Sequence, residues 1–181
     1  MNRLKKAAIL TRLIQGLRGK NSWCGETHVQ KATFLLQEMT QVPLGFDFIL
    51  YKHGPFSFDL RDELTSLRAD ELIALEPQAP YGPRIAVTDR CDYIQGLYPK
   101  TLSRYGKHLD FVADKIHEKG VAELECLATA FYVTALEGDK NSVEQRTEKI
   151  KELKPHITRA NALQGVKEID RIMEEIGHYL N

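Results

Sequence analysis

Gly54-Pro55, set directly after the alternating run Phe46-Asp47-Phe48-Ile49-Leu50-Tyr51, limits what this chain can fold into more than any other feature. The run puts Phe46, Phe48 and Leu50 on one side of an extended backbone and is rich in aromatic and β-branched types, so it reads as a strand. Glycine accepts backbone angles that other residues resist and proline fixes its own φ, so the chain must turn here. Ser57 follows as an N-cap, its hydroxyl placed to accept an amide of the next turn. Leu60, Leu64 and Leu67 recur at helical spacing and predict a helix to about Ala69 with a leucine face turned to the core. Its opposite face carries Phe58, Asp62, Thr65, Ser66 and Ala69, with Arg61 and Arg68 on one flank and Asp59 and Glu63 on the other. Two apolar runs come next, Leu72 to Leu75 and Ile85 to Val87, and three prolines and a glycine lie between them. Those residues interrupt a ladder, which predicts a protruding hairpin loop from Glu76 to Pro83. Strand, elbow, helix and Pro/Gly-tipped hairpin in this order predict a winged helix-turn-helix.

The remaining segments read as helices. The first runs from about Arg3 to Leu17 and stops at Gly19, with Leu10, Leu13, Ile14 and Leu17 as its core stripe. Thr27 caps a second, to about Gln41, whose buried side is Val29, Ala32, Leu35, Leu36 and Met39; Pro43 and Gly45 end it. After the wing, Asp89 to Leu97 is a short helix and Pro99 to Thr101 a seam. The second half holds helices at Arg104 to Glu118, Val121 to Leu136, Ser142 to Leu153 and Thr158 to Leu180, broken by Gly120, by Gly138-Asp139-Lys140-Asn141 and by Pro155. Val121 to Leu136 is apolar nearly all round and is expected at the centre. The fold expected is mostly α with a small β-wing (α+β): a winged-helix domain over residues 1–98 packed on a C-terminal four-helix segment over 99–181, or one continuous domain.

The chain carries 25 basic and 25 acidic residues, unevenly placed. Residues 1–20 hold six basic residues and no acid; 21–100 hold seven against eleven, and 101–181 twelve against fourteen. A phosphate binder needs a basic face, and only the first helix offers one. Cys24, Cys91 and Cys126 are odd in number and form no Cys-x-x-Cys pair, which points to free thiols and a reducing compartment, the cytoplasm. The longest apolar run, Leu124 to Leu136, contains Glu125, Thr129 and Thr134 and is too short to span a bilayer. Arg12 interrupts any signal-type run at the N-terminus.

Cys24 and His28 have half the spacing of a zinc site, without a second pair to complete it, so no metal is expected. Gly16 to Asn21 echoes a phosphate loop without its spacing and reads as a helix C-cap. No nucleophile-base set or carboxylate pair stands out, and neither a catalytic residue nor a cofactor is expected.

Gln30-Lys31, the run Phe46 to Tyr51 with Gly54-Pro55-Phe56-Ser57, and Val87-Thr88-Asp89 resemble the YwgA-like family, related to SocA-type Panacea antitoxin domains. Glu123 to Thr129 and Leu153-Lys154-Pro155 are similar to its helical half, while Cys91 and His53 depart from its pattern of glycine and an aromatic at those places. The resemblance implies a prokaryotic or phage-linked winged-helix protein, some of whose relatives act as antitoxins or proteolysis adaptors through protein contacts, and it supplies no catalytic residues.

The function expected is therefore non-enzymatic regulation by protein recognition through helix three and the wing. Phe58 would be the aromatic anchor, with Arg61, Asp62, Thr65, Ser66, Arg68, Tyr81 and Arg84 around it giving register and partner choice. The alternative is a DNA-binding regulator using the same surface, with Arg12, Arg18 and Lys20 adding phosphate contacts; Asp59, Asp62 and Glu63 oppose it. The last helix carries Leu163, Val166, Ile169, Met173, Ile176 and Leu180 in a stripe that serves its own core or pairs across a homodimer axis.

Overall fold

The structure, a computed structural model, describes residues 1–137 and 142–180, with the side chains of Leu136 and Glu137 left out; the breaker at 138–141 lies outside the described residues. The chain is mostly helical with two small antiparallel ribbons, an α+β arrangement. In order it forms α1 (Arg3–Gly19), α2 (Glu26–Phe34) running into a π-helical turn (Leu35–Met39), β1 (Ile49–Tyr51), β2 (Gly54–Phe56), α3 (Phe58–Ala69), β3 (Ile73–Gln78) and β4 (Tyr81–Val87). Then follow α4 (Cys91–Gly96), α5 (Pro99–Ile116), α6 (Val121–Glu137), α7 (Val143–Leu153) and α8 (Arg159–Tyr179). α1 lies along α5, α4 and β4, and α6 packs on α2, β2, α7 and α8. One cluster of buried side chains runs from Ala7 to Ile172 and takes in residues on both sides of Tyr98.

Where the signals are local, the sequence reading carries through. Ser57 caps α3, its Oγ accepting from the Leu60 amide at 3.2 Å, and Leu60, Leu64 and Leu67 are its buried face. Ser142 and Gln145 form a reciprocal capping box on α7, and the Thr158 side chain caps α8. The α8 stripe faces α6 and α7, with Val166 and Ile169 buried.

Four expectations change. α2 begins at Glu26 with Gly25 as its N-cap, and Thr27 lies inside the first turn, because the Cys24 carbonyl is held by the Ile85 amide at 2.7 Å and the helix winds from there. The ladder of β1 covers only Ile49–Tyr51; the Gln37 side chain occupies the backbone of Phe46 at both N–H and C=O, each at 2.8 Å. Gly54-Pro55 begins the return strand of a hairpin, with Tyr51 opposite Gly54 and Leu50 opposite Pro55; Gly54 has φ of +80°. Pro99, read with the following residues as a seam, occupies the first turn of α5, where its missing N–H costs nothing.

The β3–β4 hairpin, read as a wing, is longer than expected. Ile73 pairs with Val87, Leu75 with Ile85, and the ribbon continues through Glu76 opposite Arg84 to Gln78 opposite Tyr81. The Ile85 amide points outward to Cys24, so the same parity aims the ring nitrogen of Pro83 away from β3, and Pro77 sits in the irregularity between Glu76 and Gln78. Neither proline removes a ladder donor, and only Ala79 and Pro80 are left as the turn.

Candidate recognition surface

α3 packs beside the β3–β4 hairpin, the expected wing. Between them and the α5–α6 connection runs a groove of about 880 Å³. Its wall from α3 includes Thr65 and Arg68 around Leu64, its wing side includes Leu75, Tyr81 and Arg84, and Trp23 and His28 close it from the α1–α2 loop and the start of α2. Tyr81 is 70 % exposed and meets the Trp23 ring edge-on at 5.3 Å. Arg84 lies 5.5 Å over that ring and donates to the carbonyls of Ser22 at 3.0 Å and Trp23 at 3.1 Å, which fixes the aromatic pair against the wing. His28 is buried, its Nε2 3.1 Å from the Lys119 carbonyl, and burial lowers its pKa; as a neutral ring it donates there and ties α2 to the α5–α6 connection.

Four of the eight residues singled out on helix three and the wing meet at this groove: Thr65, Arg68, Tyr81 and Arg84. Phe58, Arg61, Asp62 and Ser66 fall outside it. Phe58, 40 % exposed, belongs to an aromatic triplet with Tyr51 at 5.5 Å and Phe56 at 5.1 Å, and Arg61 stacks over it at 5.1 Å while pairing with Asp62 at 3.2 Å. The hydroxyls of Thr65 and Ser66 bond the carbonyls one turn back, of Arg61 and Asp62.

The basic first helix is internally compensated. Arg12 meets Asp110 at 2.9 Å, Arg18 meets Glu76 at 2.7 Å and Lys20 meets Asp114 at 2.5 Å, while Arg3 joins Glu63 at 3.2 Å and Asp70 at 2.5 Å. Arg3, Arg12, Arg18 and Lys20 are thus distributed as struts to α3 and its C-cap, to α5 and to β3.

A second group of side chains escaped the sequence reading. Lys31 on α2 is 1 % exposed and donates to the Pro55 carbonyl at 2.8 Å; desolvation pushes its pKa down to about 8 against the pull of Glu125. Lys154, also buried, donates to the carbonyls of Lys52, at 2.8 Å, and Tyr51, and burial lowers its pKa too. Glu125, 5 % exposed, lies 4.0 Å from the Lys154 ammonium, 2.9 Å from His156 Nε2 and 3.5 Å from His53 Nδ1. A lysine within an apolar helical stripe and a glutamate inside an otherwise apolar helix were the available signals. Cys24 is inert: burial lifts its thiol to about 12, and among the described residues no group of three His, Cys, Asp or Glu side chains is arranged to hold a metal ion. None of the described helices is long and apolar enough to cross a membrane.

No protein-family model matches the chain, and no curated protein matches it by sequence.

Proposed function

We propose that this chain is a non-enzymatic, winged-helix regulatory protein of antitoxin-like type that recognises a protein partner through α3, the wing and the groove between them. The order α1, Cys24 bonded to the edge of β4, α2, α3 and the β3–β4 ribbon supports the winged-helix description, with the β1–β2 hairpin inserted before α3. The resemblance to the YwgA-like and Panacea group gains support from space: Gln30 bonds both the N–H and C=O of Ser57, and Lys31 bonds Pro55, so two of its strings meet.

One observation carries the choice of a protein over DNA. Arg12, Arg18, Lys20 and Arg61 each sit on a carboxylate, whereas Tyr81, Tyr51, Phe58 and Leu75 are open apolar or aromatic surface. Binding phosphates would require breaking those pairs, a cost that offsets the gain from counterion release; exposed aromatics beside arginines are the composition of a protein hot spot. The test uses a photocrosslinking residue at Tyr81 in cells, with one at exposed Arg171 on α8 as control. Discrete protein adducts from position 81 alone are expected. Tight duplex binding in a gel-shift titration, with affinity falling steeply as salt rises, would overturn the reading in favour of DNA.

A further inference from the structure

We propose that the β1–β2 hairpin is a separately opening strap, latched by Lys31, Glu125 and Lys154, and that this latch presents the Tyr51, Phe56 and Phe58 face. Only the second clause rests on the recognition function proposed above; the latch itself does not.

The hairpin is too short to hold itself. It has two strands of three residues with no third neighbour, and such a ribbon is not independently stable. Its outer side, Ile49 and Tyr51, is exposed, so apolar burial acts mainly through Gly54 and Pro55. What fastens it is polar. Lys31, from α2, takes the Pro55 carbonyl, and Lys154, from the α7–α8 connection, takes those of Tyr51 and Lys52. Charge-assisted bonds of this kind are stronger than neutral ones, and both ammoniums are out of water.

One buried carboxylate serves both ammoniums: Glu125 lies 4.0 Å from the ammonium of Lys154 and acts on that of Lys31 through its charge, beyond ion-pair distance. Glu125 reaches the cluster from α6, directly beneath the hairpin: a Cβ on Gly54 would stand 3.0 Å from Thr129 Oγ1 and 3.3 Å from the Glu125 carbonyl, so the hairpin lies flat on α6 only because residue 54 is glycine. From the solvent side His53, on the hairpin, and His156, beyond α7, also lean on that carboxylate. Among the described residues, Glu125 is the acid that the ion pairs of this cluster contain. Removing the Glu125 charge leaves two buried ammoniums uncompensated; each then gives up its proton or gains water, and either response weakens its charge-assisted hold on the hairpin carbonyls. α2 and α6 are held in the main core and cannot part to admit water, whereas the hairpin, with one face already in solvent, can lift. Glu125 and Lys154 are thereby positioning residues for the aromatic face, which Lys154 meets only through the Tyr51 backbone carbonyl.

Hydrogen exchange of the full chain tests this without any partner. In Glu125→Gln, amides of residues 49–56 should exchange faster by about tenfold or more while those of α1 and α5 keep their protection, the signature of a local opening. Removing the Lys31 bond to Pro55 as well, in Lys31→Met/Glu125→Gln, should leave the hairpin no better protected than in Glu125→Gln alone. If Glu125→Gln does not fold, Lys154→Met reads the same latch from its other side and should show the same local pattern. Uniform acceleration across α1 and α5, unchanged exchange at 49–56, or recovered protection in the double variant would overturn the latch. Absence of adducts from position 81 would sink the recognition reading and leave the exchange result standing, so the two failures are separable.

Discussion

Burying Lys31 carries a cost that pH can reveal. The folded chain releases the Lys31 proton near pH 8, while a solvated lysine keeps it to about 10.5. Between those values the unfolded chain binds a proton that the native state does not, so stability rises with pH across that window. Below about pH 8 the native state holds the ammonium and its full desolvation cost; the difference amounts to about 3 kcal/mol. Urea denaturation at pH 7 to 10 should show wild type gaining stability relative to Lys31→Met as pH rises, and parallel curves would contradict the buried charge. Gly54 makes a second claim at this scale, since its φ of +80° and its closeness to α6 both exclude a side chain. Gly54→Ala should lose roughly 1–3 kcal/mol in a urea titration. Gly19→Ala, at the end of α1 with open space around it, should lose far less.

At the scale of elements, α8 approaches α6 through Gly165, where a Cβ would lie 2.8 Å from Cys126 Sγ and 3.4 Å from the Cys126 carbonyl. Alanine at 165 would gain helix propensity of about 0.5–1 kcal/mol but overpack this seam. Gly165→Ala should therefore destabilise the wild-type chain, and in a Cys126→Ala background the same change should cost less or turn neutral; additive effects in the double-mutant cycle would refute the seam. Elements of this kind separate what the sequence discloses from what it conceals. α3, its Ser57 cap and its leucine face were legible because cap, spacing and terminator all lie within a dozen residues. The wing's length was not, because whether Pro83 breaks the ladder depends on which edge its nitrogen faces, and that is fixed by Cys24 on another element. β1 is shorter than its alternation suggests because Gln37 competes for the Phe46 backbone. Likewise Thr65, Arg68, Tyr81 and Arg84 could be read from helix and hairpin periodicity. Trp23 and the Lys31–Glu125–Lys154 cluster could not, since each draws its meaning from partners supplied by distant turns of the chain.

The molecule as a whole is knit across residue 98. α1 buries Ile9, Leu10, Leu13 and Leu17 in an environment that α5 helps to build, and Phe34 of α2 stacks on Phe131 of α6 at 5.7 Å. The struts Arg12–Asp110 and Lys20–Asp114 run across the same boundary, although as exposed pairs each contributes only about 0–1 kcal/mol. Cohesion therefore resides in the shared apolar cluster, and cutting the chain at 98 would leave two large apolar helix faces in water. Trp23 reports on the α1–α2 loop and far-ultraviolet circular dichroism on every helix, so the full chain should lose both signals at one urea midpoint. Residues 1–98 expressed alone should show no cooperative transition and should bind a hydrophobic dye. A fragment that unfolds cooperatively, or two separated midpoints in the intact chain, would mean that residues 1–98 carry their own core and that α5 and α6 are a docked platform instead of part of it.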